Sequence, residues 1–241
     1  MKKILTLTLL IIAGFSNAQE GIVIYTVNNN MDKANEYLSK ARDTIKNKYL
    51  KKTMDEIYGS SPSINSTLKF VNGESMYQVE QKLKNEIDNN LANKLMKSFA
   101  GGDNIYYVNL KEDKNQIQEC TLLGECFIIN MHSVKWNLTQ KQKMIGKYNC
   151  FLAKATYKMY SSTISLEAWY TPDIPISLGP LSFVGLPGLI IELKTNKAWF
   201  KATKITLNPS KKIVIKKPKV GKEVTSEKFE IILKKNISRI L

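Results

Sequence analysis

Histidine occurs once in the 241 residues, as His132, and cysteine three times, as Cys120, Cys126 and Cys150. A Ser–His–Asp or Cys–His site would have to be built on His132. No Gly-x-Ser-x-Gly elbow accompanies it, and the six-residue steps from Cys120 to Cys126 to His132 match no metal-ligand spacing. His132 is therefore expected as a strand-end side chain, with a hydrolase or metal site on His132 and the cysteines as the alternative. No glycine-rich loop runs into Lys-Ser/Thr and a helix, so a phosphate cradle is excluded, and no cofactor is expected. Acidic residues are scarce, 21 against 36 lysines and arginines, for a formal charge of +15. The lysines form short clusters, among them Lys211-Lys212 and Lys216-Lys217 with Lys219. None is interleaved with aromatics, which argues against nucleic acid as a partner. Anionic surfaces such as acidic lipid headgroups or polysaccharide suit such a balance better, beside the plain role of a solvated surface.

Long apolar runs are absent after the first 18 residues, so no later stretch approaches the ~20 residues of a membrane-crossing helix. Those first residues have their own order: Lys2 and Lys3, an apolar core from Ile4 to Ile12, then Ser16-Asn17-Ala18. That order is a secretory signal peptide with cleavage near Ala18. Its removal lowers the formal charge from +15 to +13, since Lys2 and Lys3 are its only charges. Residues 19–241 are then expected as one exported domain, periplasmic or secreted. In an oxidising compartment three cysteines allow one disulfide. "ECTLLGECF" reads as two strands around a three-residue loop, Leu122 to Gly124, which sets Cys120 opposite Cys126. Cys150 is left as a buried small hydrophobe.

Along the chain, "GIVIYTV" (21–27) is a strand. Residues 32–58 carry Ala34, Leu38, Ala41, Ile45 and Tyr49 at helical spacing. Asn72-Gly73 between two alternating runs (66–80) predicts a hairpin, because both residues accept positive φ. Ile87, Leu91, Leu95 and Phe99 predict a second helix over 84–100, stopped by Gly101-Gly102. Strands are expected at 104–110, 116–121, 125–135, 147–160, 163–171, 189–195, 198–207 and 212–216. Phe229, Ile232, Leu233, Ile237 and Ile240 mark a closing helix capped by Thr225 or Ser226. The sum is α+β and mostly antiparallel: a large curved sheet of sequential hairpins with two early helices and a C-terminal one.

Between two of these strands the pattern breaks. "EAWYTPDIPISLGP" (167–180) has prolines at 172, 175 and 180, and "FVGLPGLIIEL" (183–193) follows. The prolines forbid helix and interrupt any ladder. The segment is expected to leave the sheet after Tyr170, cross one end of it, and re-enter at Leu189 through a type II turn over Leu186-Pro187-Gly188. It is either a plug that buries Trp169, Phe183 and Leu186, or the mouth of an apolar cavity or a partner-binding face. On the second reading the ligand is lined by Trp136, Phe151, Tyr157, Trp169, Phe183 and Leu186. Among the carboxylates, Glu192 is expected beside Ile190 and Lys194 on one face, paired with a lysine such as Lys154.

The hexapeptide Gly185, Leu186, Pro187, Gly188, Leu189, Ile190, together with Trp136, "GKYNCFLAKATYK" (146–158) and the two stretches above, resembles the GLPGLI family. That resemblance implies an exported, uncharacterised envelope protein of Gram-negative bacteria. It implies no reaction, and chemistry has to be argued from residues. A non-enzymatic binding protein follows as the expectation, with an apolar or lipid-like ligand, or an outer-membrane or other envelope protein, as the partner.

Overall fold

A computed structural model describes residues 20–59, 62–81, 91–159 and 162–237 of the chain. The predicted leader lies outside the described residues, as do Ile87 and Ile240. Twelve strands form one mostly antiparallel open sheet. Two meanders build it. The first runs β1 (Gly21–Asn29), β2 (Ile64–Val71), β3 (Glu74–Val79), β4 (Ile105–Asn109), β5 (Lys114–Glu119) and β6 (Phe127–Asn130). The second runs β7 (Asn137–Ile145), β8 (Tyr148–Met159), β9 (Ser162–Thr171), β10 (Leu189–Lys194) and β11 (Ala198–Leu207), and β11 pairs with β1 at the centre. Finally β12 (Lys222–Thr225) lies parallel to β6, so the sheet is not sequential hairpins throughout.

Alternation places the side chains. Along β1 every odd position is buried, Val23, Tyr25 and Val27 among them. The register carries that face across β2 through Leu68 and Phe70, β11 through Phe200, and β9 through Leu166, Ala168 and Tyr170. We call it the inner face. Each of its buried aromatics contributes roughly 1.5–3 kcal/mol by leaving water.

Connectivity forces this face to curl. From β6 to β7 is ten steps across the sheet, about 48 Å if flat. Yet only residues 131–136 join the two strands, a reach of about 25 Å. The sheet therefore rolls into an incomplete barrel. Consistent with this, Asn115 on β5 and Tyr157 on β8 both meet residues 182–183: Asn115 Nδ2 donates to the Ser182 carbonyl at 3.1 Å, and the Tyr157 and Phe183 rings lie 5.8 Å apart.

The helices close the barrel's openings. Helix α3 (Leu91–Ala100) buries Ala92, Met96 and Ala100 and receives the Tyr77 hydroxyl on the Ala100 carbonyl at 2.6 Å. It ends in a Schellman motif: Gly102 N–H to the Lys97 carbonyl, Gly101 N–H to the Ser98 carbonyl, with Gly101 at φ 125. The glycine stop supplies the left-handed residue this motif needs. Helix α4 (Ser226–Ile237) presses Phe229 on Phe127, centroids 5.1 Å apart, with Thr225 Oγ1 capping Lys228 N–H.

Several expectations are corrected. Residues 32–58 are not one helix but α1 (Met31–Glu36) with a π turn over Tyr37–Ala41, and then α2 (Lys48–Gly59). Asn47 starts the second piece by accepting from Leu50 N–H, and the chain doubles back so that Tyr37 stacks on Tyr58 at 4.9 Å. The strand expected at 125–135 stops at Asn130, and 212–216 is irregular chain crossing from β11 to β12. The polar strand β7 carried no alternation to read, because both faces of an edge strand are wet.

Candidate functional site

The proline-rich segment 172–188 is packed onto the inner face. Ile174, Ile176, Leu178, Phe183, Val184 and Leu186 are all buried and belong to the same core as the strands. Its turns are tighter than expected. Ile176 N–H donates to the Ile174 carbonyl and Gly188 N–H to the Leu186 carbonyl, both at 2.8 Å. These are three-residue γ-turns with Pro175 and Pro187 at the centre, where a φ near −75° suits the proline ring. The predicted type II turn is thereby replaced. Gly188 is needed for proximity: a β-carbon there would sit 2.1 Å from the Thr171 carbonyl oxygen. Gly185 alone of the pair has a positive φ, 98°.

Polar bonds fasten the segment at both ends. Leu189 N–H and Ile190 N–H donate to the Ile174 and Leu178 carbonyls, and the buried Tyr25 hydroxyl donates to the Ile190 carbonyl at 2.6 Å. The Trp136 indole donates to the Val184 carbonyl at 2.8 Å, and Gly185 N–H to Ser177 Oγ at 2.7 Å. Leu181 and Ser182 both hold left-handed backbones, φ 54 and 59.

The six residues expected to line a ligand site do not share a cavity. Phe183 and Leu186 are buried in the plug, with the rings of Trp136 and Tyr157 edge-on to Phe183 at 6.4 and 5.8 Å. Phe151 packs instead on Tyr170, and Trp169 points to the opposite, outer face. Beside Tyr157 and Phe183 the free space is about 10 Å³, bordered also by Asn115, His132 and Ser182. That volume holds about one water. A shallow concavity of about 440 Å³ lies on α2 between Lys48, Lys51, Lys52, Asp55 and Glu56, which is one helix's solvated surface.

His132 follows β6, is exposed, and holds Glu227 at 2.7 Å through Nε2. It borders the small void with Ser182, but no hydrogen bond joins them among the described residues. No thiol is brought to it: Cys120 and Cys126 form a disulfide, and Cys150 is buried on β8 opposite Lys143. Burial pushes the Cys150 thiol up to about 11. Among the described residues no group of three His, Cys, Asp or Glu side chains is placed to hold a metal.

Glu227 sits in the first turn of α4. Its own backbone N–H, the Thr225 hydroxyl and His132 lower its carboxyl from the ordinary 4.5 to about 2. A depressed folded value means the stabilising contribution is complete above about pH 4.5 and lost as pH falls through about 2. A Glu227→Gln protein is expected to show a flatter fall of melting temperature across that window; identical acid limbs would contradict this role.

The outer face of β7–β11 carries a band that sequence reasoning missed. Lys143 Nζ is 2.8 Å from Glu192 and 4.3 Å above the Trp169 ring. Lys201 Nζ lies 3.5 Å above the Trp199 ring, with Lys194 on its other partner Asp32 and 5.6 Å from the same ring. Lys154, expected on Glu192, pairs with Glu167. A bulge in β10 explains the exchange: the register slips between Ile190 and Glu192, turning Ile190 inward while Glu192 and Lys194 face out. Trp169 and Trp199 both remain half-buried. Only the pairing of β9, β10 and β11 brings them together, so no local signal announced them.

Comparison with known proteins adds the following. A family described as "Protein of unknown function (Porph_ging)" matches residues 157–192, from β8 through the plug into β10. No curated protein matches. Two solved structures of PNGF-II are similar in fold. The C2 form has 14% identity and a TM-score of 0.51 over 89% of this chain and 33% of that one. The P21 form has 16% identity and a TM-score of 0.49 over 90% and 34%. This chain therefore spans about a third of that protein's length, and the likeness is one of fold.

Proposed function

We propose that this is an exported envelope protein akin to the GLPGLI family that binds a membrane-associated protein partner with the outside of its sheet and performs no reaction. The leader-like first 18 residues and the hexapeptide at 185–190 support export and kinship. One observation carries the binding mode: the chain's own 172–188 segment fills the barrel to within about 10 Å³ beside Phe183, whereas two tryptophans stay half-buried outside. An apolar ligand thus has no room at the expected site, and Trp is the residue type most enriched where protein partners anchor.

The test is co-sedimentation of purified protein with envelope fragments, intact or shaved by protease. A Trp169→Ser, Trp199→Ser protein is expected to bind intact fragments at least tenfold more weakly, with a circular dichroism spectrum unchanged. Unchanged binding, or one lipid per chain by mass spectrometry of the purified wild type, would overturn the reading.

A further inference from the structure

The crossover from β11 to β12 holds a surface of different character. Residues 208–222 contain six lysines, at 211, 212, 216, 217, 219 and 222, and no acidic residue. All six are exposed. Between them Val214 and Val220 are 61% and 63% exposed, and Leu122 at the tip of the disulfide loop is 57% exposed. Water should penalise three such aliphatic side chains among ammonium groups, while Ile213 and Pro218 of the same stretch are turned in and buried.

The strap has a fixed course. Asn208 N–H donates to the Glu20 carbonyl at 2.9 Å where it leaves β11. Lys217 comes beside Lys114 and acts on Glu112, which places it over the outer side of β5. Gln118 Nε2 then donates to the Val220 carbonyl at 2.6 Å, and Lys222 N–H to the Cys126 carbonyl at 3.0 Å. Lys222 Nζ reaches Glu125 at 2.6 Å, tying the strap to the Cys120–Cys126 loop that carries Leu122. The strap therefore presents Val214, Val220 and five unmated lysines from a surface held in place, except that Lys217 shares Glu112 with Lys114.

We infer that this strap docks the protein on an anionic phospholipid surface, a site separate from the outer-face tryptophans of the proposed function. Its ammonium groups meet lipid phosphates while Val214, Val220 and Leu122 enter the headgroup boundary. A basic cluster alone would suit any polyanion; the exposed aliphatics are what select lipid, because only a bilayer offers them an apolar phase. The net charge of +15 draws the whole chain towards such a surface.

Protein-free vesicles separate this site from the partner face. The purified protein is expected to bind vesicles of equal parts phosphatidylglycerol and phosphatidylcholine, not phosphatidylcholine alone, and to release as salt rises. Each lysine is worth about fivefold in affinity near an anionic surface, so Lys216→Glu, Lys217→Glu, Lys219→Glu should weaken binding by on the order of 100-fold or more. Val214→Ser with Val220→Ser should weaken vesicle binding at least fivefold and leave binding to dextran sulfate unchanged. All variants touch exposed side chains, and an unchanged melting temperature verifies folding. Equal binding to neutral vesicles overturns the inference, as does a valine variant that binds anionic vesicles like wild type. Loss of vesicle binding in Trp169→Ser, Trp199→Ser with the strap variants unaffected would move the lipid site to the outer face.

Discussion

A Gly188→Ala protein is expected to melt roughly 6–12 °C below wild type, the shift that a loss of ~3 kcal/mol produces in a domain of this size. The alanine methyl would have to occupy space 2.1 Å from the Thr171 carbonyl oxygen and 2.9 Å from Pro172 N. Both are backbone atoms of the strand end that the γ-turn abuts, and neither can swing aside like a side chain. Gly185→Ala supplies the contrast. Its nearest neighbour is the Trp136 ring at 3.5 Å, so its cost is only that of an L-residue at φ 98, about 1 kcal/mol. Thermal melts of the two variants decide the matter. If Gly185→Ala proves the more damaging, the hexapeptide's second glycine is not there for close approach.

Phe183→Ala is expected to cost about 3–5 kcal/mol, the usual range for truncating a buried aromatic. Phe183 is 6% exposed and wedged between the rings of Trp136 and Tyr157, next to the only free space of the plug's neighbourhood described above. Removing the ring joins its volume to that void, and an apolar cavity of such a size takes up small apolar solutes. Benzene or xenon should therefore raise the melting temperature of the variant and leave wild type unmoved. A wild-type protein stabilised by such probes would show that the segment is a lid over a cavity and not a plug. A variant as stable as wild type would show that the segment does not hold the barrel at all.

Both outcomes bear on how much the residues disclosed. The Asn72-Gly73 hairpin was legible because two adjacent residues accept positive φ, and they adopt 54° and 85°. Strands β1, β8, β9, β10 and β11 were legible from short-range alternation, and the end of α3 from two glycines. The breaks at 37–47 and at Asn130 were missed, since helical spacing continued through Asn47 and apolar residues continued past β6. The γ-turns escaped because a Leu-Pro-Gly sequence fits two turn types, and the choice between them lies in Thr171, on another strand.

The candidate surfaces divide in the same way. The lysine-rich strap is visible in composition, but that Val214 and Val220 face out while Ile213 and Pro218 face in is not. The two tryptophans are 30 residues apart, and a one-residue slip in β10 decides which neighbours each receives. Glu192 was assigned the wrong lysine for that reason.

By itself the sequence determined the element types, the tight turns, the excess of positive charge and the plug's exclusion from helix and sheet, because each depends on the φ/ψ range or polarity of residues a few positions apart. Tertiary structure alone decided that the sheet curls, that the plug fills its interior, and which side chains are left outside. Those follow from a short link between distant strands and from register, and neither has a local physical signature.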